Sequence, residues 1–123
     1  MLTISDIRKI RRDGRHQRLR KHISGTPQRL RLCVYRSLGN LYAQVVNDVE
    51  GKVLFGISTL NKDIKAKIKS GGNVEAASVL GAAMAHLAKS NGVTRVCFDR
   101  GGYHYHGRIK AFAQAARSGG LEF

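Results

Sequence analysis

Between residues 29 and 58, apolar side chains return at every second position in three consecutive runs. The first is Leu30, Leu32, Val34, the second Leu41, Ala43, Val45, and the third Val53, Phe55, Ile57. A period of two places each set on one face of a strand, so three half-buried strands are expected. Ser37-Leu38-Gly39-Asn40 and Asn47 to Gly51 separate the runs. These connections are too short for a crossover, so the three strands predict an antiparallel meander. A meander with one oily face needs a second layer to cover it.

Two later stretches supply that layer. Asn73 is a favourable N-cap, and Glu75 lies in the first turn, where negative charge is stabilising. A helix then follows to about Ser90, with Ala77, Leu80, Gly81, Met84, Leu87 and Ala88 along one side, and Asn91-Gly92 stops it. His86 falls off this stripe and reads as a surface residue. A second helical pattern carries Ile109, Phe112, Ala113 and Ala116 and ends at Ser118-Gly119-Gly120. Between the two lies a fourth strand, Val93 to Phe98. A right-handed crossover sets it parallel to its neighbour. The lysine-rich stretch from Thr59 to Gly72 reads as a solvated connection with a short helix. The expected fold is mixed α/β, ordered βββαβα, with two helices on one face of a mixed sheet and the other face free. That face carries Arg31, Tyr35, Tyr42 and Gln44, a set that suits either a wetted surface or a platform for a partner.

The chain has 123 residues, enough for one core without metals or disulfides. Its charge is unusual: 22 Lys and Arg against 8 Asp and Glu give a formal +14. Such an excess points to a polyanionic partner. Apolar runs fall short of a membrane span, and no secretory core stands at the N-terminus, so no membrane role is expected. Cys33 and Cys97 sit in strand-like runs without metal-ligand spacing. They read as buried, reduced thiols rather than zinc ligands or catalytic groups. No cofactor and no homo-oligomer are expected.

The positive charge is concentrated. Eleven of the cationic residues lie in the first 36 positions, against Asp6 and Asp13 alone. Residues 1–28 therefore read as a basic arm, and residues 29–123 as the globular domain. Arg8, Lys9, Arg11, Arg12, Arg15, Arg18, Arg20 and Lys21 are the arm's candidate nucleic-acid contacts. Arginine dominates, and its planar fork suits bidentate phosphate contacts and base stacking. Ile4, Ile7 and Ile10 could support a short helix. Like charges at Arg8/Arg12 and Arg11/Arg15 oppose it, so the arm is expected to be disordered until a polyanion neutralises it.

A second candidate is the loop Phe98 to Arg108, FDRGGYHYHGR, which joins the end of a strand to the start of a helix. In α/β sheets ligands gather at that position, and helix N-termini favour anions. Arg100 and Arg108 bring charge, Tyr103, His104, Tyr105 and His106 bring flat rings, and Gly101 and Gly102 allow close backbone approach. This mixture suits RNA better than a small metabolite. A metal at His104 and His106 would lack further ligands, and the adjacent arginines would repel it, so no metal is expected. The βββαβα order is also similar to that of ribonuclease H-type nucleases. Those need clustered carboxylates, and Asp99 stands without such a cluster. Catalysis is not expected.

The runs RLRLCVYRS at 29–37, LYAQV at 41–45, GGNVEAA at 71–77 and FDRGGYHYHGRIKA at 98–111 resemble a known family. It is the bacterial form of the 5S-rRNA-binding large-subunit ribosomal protein, number eighteen in that subunit's series. The likeness covers nearly the whole chain, and its departures, Leu38-Gly39 and Cys97, look like ordinary variation. The resemblance implies a structural role in the cytoplasmic ribosome, rather than an organellar one. It implies binding 5S rRNA and helping to attach it to the large-subunit rRNA in the central protuberance. Large-subunit protein number five would be a neighbour on the same 5S rRNA. Carried over by position, the implied contacts are Arg29, Arg31, Tyr35, Arg36, Ser37, Tyr42 and Gln44. In the loop they are Arg100, Gly101, Gly102, Tyr103, His104, Tyr105, His106 and Arg108. Asp99 is expected to orient Arg100 or to cap the loop.

Overall fold

A computed structural model describes residues 1–123. The meander forms as its alternation predicts, with β1 (Leu30–Arg36), β2 (Leu41–Asn47) and β3 (Lys52–Ser58) paired antiparallel. β4 (Val96–Asp99) joins β1 in parallel, with Leu30 opposite Val96 and Leu32 opposite Phe98, so the sheet order is β3-β2-β1-β4. α1 (Ile4–Arg20) precedes the sheet. A single-turn helix, α2 (Lys62–Lys65), interrupts the lysine-rich connection, followed by α3 (Val74–Ser90) and α4 (Gly107–Ser118).

α3 and α4 cover one face of the sheet. Leu32, Val34, Leu41 and Val45 from the strands meet Leu80, Met84, Ile109 and Phe112 from the helices, all almost completely buried. Each large apolar side chain removed from water contributes about 1.5–3 kcal/mol, so this layer is the main source of stability. Asn73 accepts a hydrogen bond from the Ala76 N–H (2.8 Å) and fixes the start of α3. The chain ends against the same layer, where Leu121 is buried and residue 122 bridges to Arg95.

Two expectations need correction. Val53 does not share the core face with Phe55 and Ile57. Val45 pairs with Phe55 and Val46 with Val53, which leaves Leu54 as an extra residue in a bulge. A one-residue bulge reverses the phase of a strand, so Val53 is turned outward and exposed. The N-terminal arm is not disordered, because residues 4–20 form the helix α1. Thr3 and Asp6 make a reciprocal capping box, with the Asp6 N–H donating to Thr3 Oγ1 (3.1 Å) and the Thr3 N–H to Asp6 Oδ2 (2.9 Å). Each like-charge pair opposing the helix costs only about 0.2–0.5 kcal/mol, less than a cap and tertiary docking can offset. No residue of α1 is buried, so polar contacts rather than an oily face hold it.

α3 and α4 touch most closely at Gly81, where an added Cβ would run into the Phe112 carbonyl and lie 2.9 Å from the Ala115 Cβ. Gly81→Ala should therefore destabilise the fold by about 1–3 kcal/mol through overpacking, despite alanine's better helix propensity. Urea denaturation should show a lower midpoint for the variant.

Candidate nucleic-acid interface

Because β1 and β4 are parallel neighbours, their carboxyl ends lie side by side. Arg36 at the end of β1 is thereby brought next to the loop 100–106 that follows β4. Alternation points Arg31 and Cys33 away from the core, and Asp99, opposite Cys33, points the same way. Asp99 is fully buried nonetheless. Its Oδ2 accepts from Arg31 Nη1 (2.7 Å) and lies 3.0 Å from His16 Nε2 on α1. Its Oδ1 accepts from the Gly101 N–H (2.9 Å). The expectation that Asp99 caps the loop is met, whereas its charged partners are Arg31 and His16 rather than Arg100. Burial pushes the Asp99 carboxyl up, but His16, the Gly101 N–H and Arg31 outweigh that and hold it below the usual carboxylate range.

Arg31 serves a second acid. Its Nε and Nη2 form a fork on Asp48, at 2.9 and 3.1 Å. Arg31 lowers Asp48 to about 2 against the opposing effect of burial, helped by the Gly25 N–H and Arg20. Burial disfavours the Arg31 charge, yet the two carboxylates prevail and its pKa lies above the ordinary value. Arg31 therefore carries an internal ion network and has little free cationic capacity. Cys33 and Cys97 are half-buried on this face rather than inside the core. Burial raises both thiols, which opposes a nucleophilic role.

α1 docks onto the loop as well as onto Asp99. Arg15 Nε donates to the Gly102 carbonyl (2.8 Å), and the Gly102 backbone has φ +80°. A Cβ there would run into the Arg12 carbonyl and lie 2.9 Å from the His16 Cβ, so only glycine permits this approach. Tyr103 is buried beneath the junction. Its hydroxyl donates to the Arg36 carbonyl (3.0 Å) and accepts from the Arg36 N–H (3.2 Å). The guanidinium carbons of Arg12 and Arg36 lie 5.1 and 4.7 Å from its ring centroid. Stacking on a ring orients a guanidinium while leaving its N–H edge free for an anion.

The result is a cleft of about 510 Å³ between α1 and the loop. Arg8, Arg11, Arg12, Arg15 and Arg36 line it with His104 and His106, and no acid does. Gly107 in its wall begins α4, whose first turn has no side-chain cap. Arg108 lies behind, where burial and then the neighbouring Arg36 charge lower its pKa. Its buried Nη1 has no hydrogen-bond partner in the protein.

The other sequence candidates are placed elsewhere. Lys9, Arg18 and Lys21 are exposed on and just after α1, and Arg20 donates to Asp48 (3.4 Å). The second sheet face is not wholly free, because α1 docks over its Asp99 end. On the part left open Tyr35 and Tyr42 form a tilted pair, centroids 5.8 Å apart, and Gln44 is exposed on the same strand as Tyr42. Ser37 closes the β1–β2 turn through Asn40. Arg29, Arg100 and Tyr105 face a different cleft at the β4 edge. His16 and Asp48 are the participants that sequence reasoning missed. Their pairings span 83 and 17 positions, and no local motif announces either.

The sequence pattern of ribosomal L18 of archaea, bacteria, mitochondria and chloroplast matches residues 6–123. The chain belongs to the ribosomal L18 family. It is 51% identical over 121 residues to the large ribosomal subunit protein uL18 of Heliobacterium modesticaldum, covering 95% of this chain and 99% of that one. The uL18 of Pelotomaculum thermopropionicum is 54% identical over 112 residues, with 91% and 92% covered. That of Dictyoglomus turgidum is 48% identical over 122 residues, with 99% and 100% covered. As an L18 family member of bacterial type, the chain is a structural constituent of the large subunit of the cytoplasmic ribosome, not an enzyme. A cleft rich in arginine and free of acid is what association with rRNA requires of such a protein.

The ion network has a pH signature. Asp48 and Asp99 have native pKa values below their unfolded value of about 3.9, so their contribution is complete above about pH 4 to 5. It is lost as the pH falls through the native values, near 2 for Asp48. Urea melts should show stability declining from about pH 4 toward pH 2. Asp48→Asn should show a shallower decline over that window and a lower plateau above it. Arg31→Met should cost more, about 3 kcal/mol at pH 7, because it leaves buried Asp99 without its closest cation.

Proposed function

We propose that the chain binds 5S rRNA and helps attach it to the large-subunit rRNA in the central protuberance, with large-subunit protein number five as a neighbour on the same 5S rRNA. The observation that carries the RNA part is the acid-free cleft formed by α1, Arg36 and the loop before α4. Family membership and the resemblance of residues 29–37 and 98–111 support the 5S assignment. Arg8, Arg11, Arg12, Arg15 and Arg36 neutralise phosphates there. The α4 amides add fixed donors, and Arg108, with its unpartnered Nη1 close by, adds positive potential. Lys9, Arg18 and Lys21 extend the field along α1, and the Tyr35/Tyr42 pair with Gln44 offers rings and an amide on the open sheet face. Rigid donors at fixed spacing select the shape of an RNA backbone rather than a base sequence.

The division into a basic arm, residues 1–28, and a globular domain, residues 29–123, belongs to this reading. The arm contributes electrostatic affinity and the globular domain contributes the rigid platform.

Gel-shift titration against 5S rRNA and a duplex RNA of equal length, at two salt concentrations, tests the assignment. The full chain should prefer 5S rRNA at the higher salt; equal binding to both would contradict the 5S reading. Deleting residues 1–20 should weaken binding to both RNAs and flatten the salt dependence. The log–log slope should fall by about 0.7–0.9 for each phosphate the arm no longer neutralises. Circular dichroism should show the remaining domain folded, since its apolar core contains no α1 residue. Its melting temperature should be lower, because the deletion takes His16 from Asp99 and Arg20 from Asp48. Unfolding on deletion would refute the division into arm and domain.

A further inference from the structure

The loop after β4 has two sides. His104 and His106 line the cleft against α1, whereas Arg100 and Tyr105 face the opposite way, into a second cleft along the β4 edge. The two clefts share no residue. The second, of about 460 Å³, has Phe98, Phe123 and Tyr105 as its rings and Arg29, Arg100 and Arg117 as its charged side chains, with no Asp or Glu.

Its parts are held in place. Phe98 is anchored to the core by stacking on Phe112, centroids 6.2 Å apart, and Phe123 stacks on Phe98 at 5.2 Å. Arg117 lies over the Phe123 ring at 4.5 Å, donates to the Phe123 main-chain oxygen (3.1 Å) and donates to the Tyr105 hydroxyl (3.2 Å). Arg29 is fixed by its Nε bond to the Val96 carbonyl (3.2 Å). Three aromatic rings half open to solvent, ringed by three arginines with no Asp or Glu in the lining, are poorly explained as packing alone. An apolar protein segment would bury these charges without compensation. A nucleotide supplies both halves: a flat base for the rings and guanidinium planes, and a phosphate for the arginines. A paired base shows only its edge and cannot stack here, so the occupant must be unpaired.

We propose that the β4-edge cleft receives one unpaired nucleotide of RNA, its base against Tyr105 and the Arg117–Phe123 stack and its phosphate between Arg29 and Arg100. The proposal rests on the chain meeting RNA and not on which RNA that is. The site deepens the contact from phosphate neutralisation to recognition of where a duplex is interrupted. Arg117, Phe98 and Phe123 are members that the sequence candidates did not include.

The test uses the full chain with a twelve-nucleotide single-stranded RNA, a duplex of that length and 5S rRNA. Tyr105→Ala with Arg117→Ala, both at exposed positions, should weaken single-strand binding about tenfold, the scale of one stacked base, and change duplex binding less than twofold. Tyr105→Phe, which keeps the ring, should retain most of the single-strand affinity. A single strand carrying 4-thiouridine should crosslink within residues 96–105 or 117–123. Unchanged single-strand affinity, equal loss on the duplex, or crosslinks confined to residues 1–20 would each overturn the proposal. Failure of the 5S assignment reads separately, as the unmutated chain showing no preference for 5S rRNA over the duplex.

Discussion

A carboxylate removed from water must be surrounded by donors or lose its charge, and Asp99 meets that demand from three parts of the chain. Arg31 reaches it from the neighbouring strand, His16 from the N-terminal helix, and the Gly101 N–H from the loop it begins. Arg31 in turn grips Asp48, which also accepts from Arg20 and from the Gly25 N–H. Removing one partner from such a set strands a buried charge, which is why the set behaves as a unit. Through it, strand, loop and arm are fixed relative to one another on a face that has no oily core.

The network also decides which charges remain outside. Asp48 and Asp99 neutralise inward-facing cations and leave Arg8, Arg11, Arg12 and Arg15 of α1, Arg36 and the loop arginines without acidic partners. No arginine occurs between Arg36 and Arg95, so β2, β3 and α3 contribute packing and little field. Parallel pairing of β1 with β4 gathers the arginine-bearing ends at one edge. The charge excess of +14 thus becomes a directional surface rather than a diffuse one.

Glycines and rings refine that surface. Gly102 lets α1 approach the loop backbone, and Tyr103 fills the space beneath and aligns Arg12 and Arg36. Tyr103, a candidate contact on sequence grounds, is placed as a buried support for the guanidinium groups above it. Tyr105, two positions on, looks into the other cleft and carries the exposed ring there. A run of alternating tyrosines and histidines gives no sign of this division, because its direction depends on what packs on either side of the loop.

Much was legible in the residues themselves. Alternation at Leu30/Leu32/Val34 and Leu41/Ala43/Val45 specified strands and their buried face, and Asn73 and the stripe from Ala77 to Ala88 specified α3, because backbone period and cap chemistry are local. Crossover handedness gave the parallel placement of β4. The family resemblance lay in four short continuous runs, and the charge excess named a polyanion. Three features were decided only by tertiary structure. The bulge at Leu54 turned Val53 outward, α1 formed because docking and its cap outweighed charge repulsion, and Asp99 found Arg31 and His16 instead of Arg100. Each is a contest between distant groups, settled by which of them the folded sheet brings within hydrogen-bond reach.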